Sequence, residues 1–211
     1  TADNVTATTA GEGSPGIYST GTFYVSNSNT VATGAEAAAI EGLNSITLVD
    51  SDITGNVKWG VFMYRIMSGD SSIGVSTFDM TGGSLTNNSS GPVFMVLNTE
   101  SIINLQDVEI NTAGDVLIRA TDASSGDENV NTDWGTAGGD ITFTATDQML
   151  NGTVSINALS SLDMTLLGTS TLSGAVEIED GGEVTITLED SAVWTAAGNA
   201  SVTSLNGVTL S

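Results

Sequence analysis

The stretch ITLVDSDI at residues 46–53 decides the fold of this chain. Two apolar residues, Ile46 and Leu48, stand two apart, as the inward positions of a β-strand do, and Ile53 follows five residues after Leu48, beyond a polar corner. The same pattern recurs as FDMTGGSL at 78–85, INLQDVEI at 103–110 and ITLEDSAV at 186–193. A strand-sized motif that returns along the chain predicts a repeat architecture.

The third apolar position of each motif sets the length of the repeat. These positions are Val31, Ile53, Leu85, Ile110, Leu150, Leu172 and Val193. Most follow one another at roughly 21 to 25 residues, and two longer intervals mark insertions. The spacing predicts an all-β fold of one domain over residues 1–211, a single right-handed parallel β-helix (β-solenoid). We expect three sheets and roughly eight to nine coils.

Two segments break the repeat, at about 64–75 and about 121–139. Insertions into a solenoid project as loops from one edge, and such loops often carry binding residues. The Ala-rich segment at 37–40 offers a local alternative, a short helix. Because so short a helix is unstable on its own, we predict strand and turn there.

Charge excludes two classes of partner. The chain has 25 acidic residues and only three basic ones, Lys58, Arg65 and Arg119, for a formal net charge of −22. Such a surface repels phosphate backbones and anionic lipid headgroups, so we expect no binding to nucleic acid. No run of about 18 apolar residues is present, so we expect no direct insertion into a membrane.

Composition also indicates a compartment. The chain has no Cys and no His, which leaves no disulfide framework and no thiolate metal site. Few Lys residues with abundant Thr, Ser, Asn, Gly and Asp are typical of secreted bacterial β-proteins, so we expect an extracellular or cell-surface location with a leader already removed. The pattern shows no cap at either end, and exposed terminal strands predict a homo-oligomer formed by end-to-end strand pairing.

Several motifs along the coils carry a resemblance to a known group of proteins. They are GIYSTG at 16–21, ATG at 32–34, AIEG at 39–42, NSITL at 44–48, KWGV at 58–61 and MTGGSL at 80–85. The chain resembles bacterial secreted right-handed parallel β-helix surface proteins, which are adhesin-like or autotransporter-passenger-like. The resemblance implies a cell-surface role. The wider pectate-lyase-like superfold also includes polysaccharide lyases, hydrolases and binding modules.

The insertions contain the candidate binding residues. Trp134 and Tyr64 lie in the two insertions and could form an aromatic platform for a sugar, although a Trp in a long loop often anchors that loop instead. Carboxylates in the longer insertion could supply oxygen ligands for calcium, the one cofactor that the sequence suggests. These candidate ligands are Asp122, Asp127, Glu128 and Asp133. A solvated acidic loop is the alternative interpretation.

An enzyme is the least favoured class. Asp50 and Asp52, Asp79, and Asp107 and Glu109 recur at corresponding points of successive coils and are expected to stack about 4.8 Å apart. A hydrolase needs converging carboxylates, but stacked ones repel each other unless something neutralises them. A lyase would also need a base, for which Arg65 is the best candidate.

The sequence therefore predicts a structural and adhesive surface protein, not an enzyme, that self-assembles end to end into an extracellular filament. A calcium-assisted polysaccharide-binding module is the alternative, and a β-helix polysaccharide lyase or hydrolase comes third.

Overall fold

The protein is a parallel β-solenoid of nine turns. The computed structural model describes residues 1–66, 71–124, 126–127 and 129–207, and these residues form 24 β-strands and one 3-10 helix, Thr132–Trp134, with no α-helix among them. Every strand pairing is parallel, with no antiparallel hairpin between paired strands in the described chain. The prediction of an all-β solenoid is confirmed.

The strands are short, as expected of a chain that turns a corner every few residues. The first twelve are β1 (Ala2–Asp3), β2 (Thr6–Thr9), β3 (Ile17–Ser19), β4 (Thr22–Ser26), β5 (Asn29–Ala32), β6 (Ala38–Glu41), β7 (Ser45–Val49), β8 (Asp52–Gly55), β9 (Val61–Tyr64), β10 (Val75–Thr81), β11 (Ser84–Asn87) and β12 (Phe94–Leu97). The others are β13 (Glu100–Gln106), β14 (Glu109–Thr112), β15 (Val116–Thr121), β16 (Asp140–Thr146), β17 (Met149–Asn151), β18 (Thr153–Ile156), β19 (Ser161–Leu167), β20 (Thr171–Gly174), β21 (Val176–Ile178), β22 (Glu183–Leu188), β23 (Val193–Ala196) and β24 (Ser204–Asn206).

Three walls enclose the core, as predicted. Sheet A has nine strands in the order β1-β4-β7-β10-β13-β16-β19-β22-β24, and sheet C has seven in the order β21-β18-β15-β12-β9-β6-β3. The remaining wall consists of two sheets, sheet B (β14-β11-β8-β5-β2) and sheet D (β17-β20-β23). Each coil passes from sheet A to sheet B or D and then, in most coils, to sheet C. The right-handed sense of winding stays a prediction, based on the strong preference of parallel crossovers for that hand.

Stacked side chains fix the register. On the inner face of sheet A, Phe78 lies between Ile46 and Ile103, and the same column continues through Phe143. Hydrogen-bonded neighbours in adjacent coils are 21 to 25 residues apart in uninterrupted coils, and 32 or 40 apart where an insertion intervenes. The predicted coil length is thus confirmed. Burial of these columns is the main stabilising contribution, since no disulfide is present.

A left-handed residue closes the corner after each strand of sheet A. These nine residues all have positive φ: Asn4, Asn27, Asp50, Gly82, Asp107, Asp147, Gly168, Asp190 and Gly207. Asn, Asp and Gly are the residue types that adopt this conformation with the least strain. The polar corner in the sequence motif is therefore a backbone requirement.

Two predicted inward positions were wrong by one residue. Val31 pairs with Thr54, whereas its neighbour Thr30 pairs with the buried Ile53 and is itself buried. At the other end, Trp194 pairs with the buried Leu172, and Val193 is exposed. A threonine and a tryptophan at inner positions broke the aliphatic pattern that the prediction followed. The Ala-rich segment, in contrast, forms β6 as predicted.

Candidate functional site

The candidate site lies on sheet C, which is covered on both faces. Strands β6 and β12 are buried at every position, so their outer side chains are also withdrawn from solvent. A second apolar cluster, which we call the outer cluster, covers that outer face. It consists of Ala39, Trp59, Phe62, Met95, Leu97, Ala123 and Val130, with Tyr64 and Trp134 packed against it.

The longer insertion folds back onto this face. Ala123 N donates to Gly135 O at 3.0 Å, which closes the insertion at its base, and the buried Ala123 and Val130 join the outer cluster. Within the insertion, Asn131 caps the 3-10 helix by accepting a 2.9 Å hydrogen bond from Asp133 N. The insertion is therefore a packed cover over sheet C.

One side chain that the sequence did not suggest ties the two insertions together. Asn98 is in the left-handed region, with φ of 56°. Its Nδ2 donates to Arg65 O at 2.7 Å and to Trp134 O at 3.0 Å, and its Oδ1 accepts from Ala137 N at 3.2 Å. An Asn after a strand carries no distinctive sequence signal, so only the structure identifies this contact.

The structure brings the two predicted sugar-binding residues together. The ring centroids of Tyr64 and Trp134 are 5.9 Å apart, and both side chains are half-buried. Phe62 stacks on Tyr64 with its centroid at 4.2 Å and lies 5.7 Å from Trp134. Much of each ring is therefore in contact with another ring, an arrangement that anchors the insertion.

Two tyrosines converge on a buried carboxylate beside this cluster. Tyr18 Oη donates to Glu41 Oε2, and Tyr64 Oη donates to the same oxygen at 3.4 Å. Burial raises the pKa of the Tyr64 phenol well above its usual range, and Tyr18 and the Glu41 carboxylate raise it further. Tyr64 therefore remains protonated and acts as a donor to Glu41.

The predicted calcium ligands lie apart from one another or are already engaged. Asp122 is buried and accepts from Ser124 Oγ at 2.8 Å and from Asn157 Nδ2 at 3.3 Å. Asp127 pairs with Arg119 at 3.4 Å, and Asp133 is exposed in the 3-10 helix. Glu128 lies outside the described residues. Among those described, no group of three or more acidic side chains is arranged to hold a metal ion.

The expected stacking of carboxylates was wrong. Asp52 pairs in register with Ser84, which separates it from Glu109 and donates to Asp52 Oδ1 at 2.6 Å. Asp79 lies within β10 and accepts from Asn104 Nδ2 at 2.7 Å. Similarly, Gly82 stands in the corner column between the carboxylates of Asp50 and Asp107. Neutral neighbours therefore separate these five acidic groups, which removes the repulsion that their direct stacking would cause.

A small polar cavity opens at the corner between sheets B and C. We call it the corner pocket. It has a volume of about 260 Å³, and its lining includes Lys58, Trp59, Ser90, Arg119, Asp127 and Asn129. Trp59 is buried, and Lys58 Nζ lies 5.7 Å from the centroid of its ring. Two of the three basic residues of the chain thus face one cavity.

Arg65, the predicted base of a lyase, is not among the residues that line the corner pocket. Its side chain is half-buried, and its Nε has no hydrogen-bond partner in the described structure.

None of the described segments is a helix long and apolar enough to cross a bilayer.

Comparison with known proteins identifies no family for this chain. The chain matches no protein-family model, no curated protein and no solved structure.

Proposed function

We propose that the protein is a structural and adhesive solenoid of a bacterial cell surface, and that its copies stack end to end into an extracellular filament. The observation that supports the proposal is an apolar cavity beside the first strands of the described chain. In the first coil, a cavity of about 230 Å³ is lined mainly by apolar side chains, among them Ala2, Val5, Ile17, Phe23 and Val25. In the described chain, strand β1 pairs with Val25 and Ser26, and Phe23 is 40% exposed.

The last coils present a matching apolar end. Leu205 on β24 is 41% exposed and lies in the same inner column of sheet A as Phe23. In this register Ser204–Asn206 correspond to residues 22–24 of β4, whereas β1 pairs with Val25 and Ser26. If β24 of one copy paired with the free edge of residues 22–24 in the next, beside β1, Leu205 would lie against Phe23. The outer edges of β1 and β24 are unpaired in the described chain, so both have backbone groups to offer.

A second copy is the occupant that fits this end. Its sheet A has the same inner column of side chains, so it continues that wall across the contact. A contact between two different ends does not close on itself and therefore generates a filament. The acidic flanks would keep neighbouring filaments apart or allow calcium to join them.

Electron microscopy and sedimentation velocity test the assembly. We expect filaments of the wild-type protein and monomers of the Phe23→Asp and Leu205→Asp variants, because each places a charge in the contact. Met149→Asp is the matched control: Met149 is 73% exposed on sheet D, away from both ends, so this variant should still assemble.

Uniform monomers of the wild-type protein, at all protein concentrations and with or without calcium, would contradict the proposal. Loss of assembly in Met149→Asp to the same degree as in Leu205→Asp would also contradict it. Melting temperatures of all variants show whether a loss of assembly reflects a loss of folding.

Polysaccharide binding is the second candidate function, supported by the juxtaposition of Tyr64 and Trp134 on the outer face of sheet C. A glycan array tests it. Trp134→Ala should abolish glycan binding, and Trp194→Ala, which removes a half-buried Trp in the last coils, should not. Equal binding by wild type and Trp134→Ala would exclude this platform.

A further inference from the structure

The corner pocket concentrates positive charge in a strongly acidic protein. Lys58 and Arg119 both line it, whereas the whole chain has only three basic residues against 25 acidic ones. They arrive from different coils: Lys58 precedes Trp59 in the third coil, and Arg119 lies within β15 in the fifth. Folding therefore brings the two basic residues together, although they are far apart in the sequence.

Lys58 and Arg119 both have N–H groups that are available for further hydrogen bonds. Among the described residues, the Arg119 guanidinium has one polar contact, from Nη1 to Asp127 Oδ2 at 3.4 Å, and its side chain is 37% exposed. That distance is long for a charge-assisted hydrogen bond, and the remaining N–H groups of Arg119 are available. The Lys58 ammonium makes no hydrogen bond within the described part of the chain and lies 5.7 Å from the Trp59 ring centroid.

The charges that face the cavity select an anion with one charge. Among the described lining residues, Lys58 and Arg119 supply two positive charges and Asp127 supplies one negative charge; Glu128 lies outside the described residues. Glu36 is close enough for the Lys58 charge to act on its carboxyl, but it is buried and does not line the cavity. One further carboxylate would thus neutralise the pocket. A polyanion, in contrast, would meet the repulsion of a molecule with a net charge of −22.

The size and lining of the cavity suit a small hydroxylated ring. Its volume of about 260 Å³ is slightly smaller than the pockets that hold drug-sized ligands, roughly 300 Å³ and more. Ser90 and Asn129 line it beside the two cations and carry a hydroxyl and an amide. Such groups pair with sugar hydroxyls, which both donate and accept hydrogen bonds.

From these observations we propose that the corner pocket binds a sugar acid, with its single carboxylate held between Lys58 and Arg119 and its hydroxyl groups facing Ser90 and Asn129.

Neither Tyr64 nor Trp134 lines the pocket, although the pocket adjoins them. Trp59 lines it, and the ring centroid of Trp59 lies 4.2 Å from that of Phe62, which stacks on Tyr64. The two cations that hold the carboxylate belong to neither function proposed above.

Calorimetric titration with methyl glucuronide, and with methyl glucoside as the neutral twin of that probe, tests the proposal. We expect the wild-type protein to bind the glucuronide at least about tenfold more tightly than the glucoside, because only the glucuronide offers a charge-assisted contact. Arg119→Gln and Lys58→Gln should each weaken glucuronide binding about tenfold or more and leave glucoside binding unchanged.

Arg65→Gln is the matched control, since it removes the third cation, which does not line the pocket. It should keep the wild-type affinity. A thermal melt of each variant confirms that it is folded, and the exposed position of the Arg119 side chain makes Arg119→Gln the variant least prone to unfold.

Three results would overturn the proposal. The first is no heat of binding with methyl glucuronide at millimolar concentrations, or equal binding of both probes. The second is an equal loss in Arg65→Gln and Arg119→Gln, which would reflect net charge rather than the pocket. The third is equal affinity for methyl glucuronide and for a short acidic peptide, which would assign the site to carboxylates in general and not to a sugar.

Discussion

Backbone conformation at single residues shapes the corner after each strand of sheet A. Each coil leaves sheet A through a left-handed residue, and each of these positions is occupied by Asn, Asp or Gly. At some corners a second constraint is added, because the backbone of the neighbouring coil passes within van der Waals distance of the corner residue. Steric fit between coils therefore acts on individual positions.

Gly83 combines both constraints. Its φ is +70°, and an added Cβ would lie 2.0 Å from the Ser51 carbonyl oxygen. We expect Gly83→Ala to lower the free energy of unfolding by more than about 2 kcal/mol, because the backbone must move apart as well as accept strain. Gly13→Ala has a similar φ of +66° but open space around the added Cβ, so it should cost only about 1 kcal/mol. Urea denaturation measures both, and equal losses would show that the close approach to Ser51 is unimportant.

Glu36 makes stability depend on pH. The carboxyl is buried, and its Oε2 has no hydrogen-bond partner in the described structure. Burial raises its pKa above the usual value, against smaller lowering effects of its backbone hydrogen bond and the Lys58 charge. A raised pKa in the folded state means that the stabilising contribution is full below the unfolded pKa and is lost as pH rises through the folded pKa.

We therefore expect the stability of Glu36→Gln relative to wild type to be greater near neutral pH than below about pH 4.5. Thermal melts of the two proteins across this range measure the difference, and any constant effect of the new amide cancels. Glu12→Gln, at an exposed position, is the control and should show a smaller change with pH. A relative stability of Glu36→Gln that stays constant with pH would contradict the expectation.

At the scale of elements, one wall of the solenoid is interrupted. Sheet B ends at β14, which precedes the longer insertion in the chain, and sheet D begins at β17, which follows it. The buried side chain of Gln148 bridges the gap: Oε1 accepts from Val108 N at 2.9 Å, and Nε2 donates to Val108 O at 2.5 Å. An amide side chain thus supplies the hydrogen bonds that a backbone ladder supplies elsewhere.

Replacing this bridge should be costly. We expect Gln148→Leu to destabilise the protein by roughly 2–4 kcal/mol, because it leaves the buried N–H and C=O of Val108 unpaired. Gln106→Leu is the matched control at an exposed position and should change stability by no more than about 0.5 kcal/mol. Chemical denaturation of both variants checks this, and a similar small effect at the two positions would show that the bridge contributes little.

At the scale of the whole molecule, the negative charge of the acidic residues is balanced by few basic residues. The net charge is −22, and the described residues contain one ion pair, Arg119 with Asp127. Repulsion among the acidic side chains opposes the compact state, whereas the separation of the carboxylates of Asp52 and Glu109 by Ser84 reduces it locally.

Salt should therefore stabilise the protein. We expect the urea midpoint to rise between about 0.01 M and 0.15 M NaCl, since the screening length falls from about 30 Å to about 8 Å over that range. A smaller further rise at higher salt is expected from general salting effects. Sucrose at matched osmolality is the control for the non-ionic part. A midpoint independent of salt below 0.15 M (about 8 Å screening) would contradict this view of the molecule.

The sequence by itself determined the winding of the chain, because each coil repeats the same local pattern: two inward apolar residues, a corner residue, a third inward residue. Each coil packs only on its neighbours, so the repeat period is enough to specify the stack. The length of a coil, the number of sheets and most inner residues could therefore be predicted from the sequence. Where an inner residue was not aliphatic, as at Thr30 and Trp194, the pattern was misread by one position.

Only the tertiary structure decided what lies on the outer face of sheet C. The insertion has no period, and its place depends on contacts between residues far apart in sequence, such as Asn98 with Trp134 and Phe62 with Trp134. The corner pocket depends in the same way on Lys58 and Arg119, which the solenoid brings together from different coils. The repeated pattern specifies each coil from local sequence. A binding surface, in contrast, forms where non-repeating segments pack against the coils, and that packing depends on contacts between residues far apart in sequence.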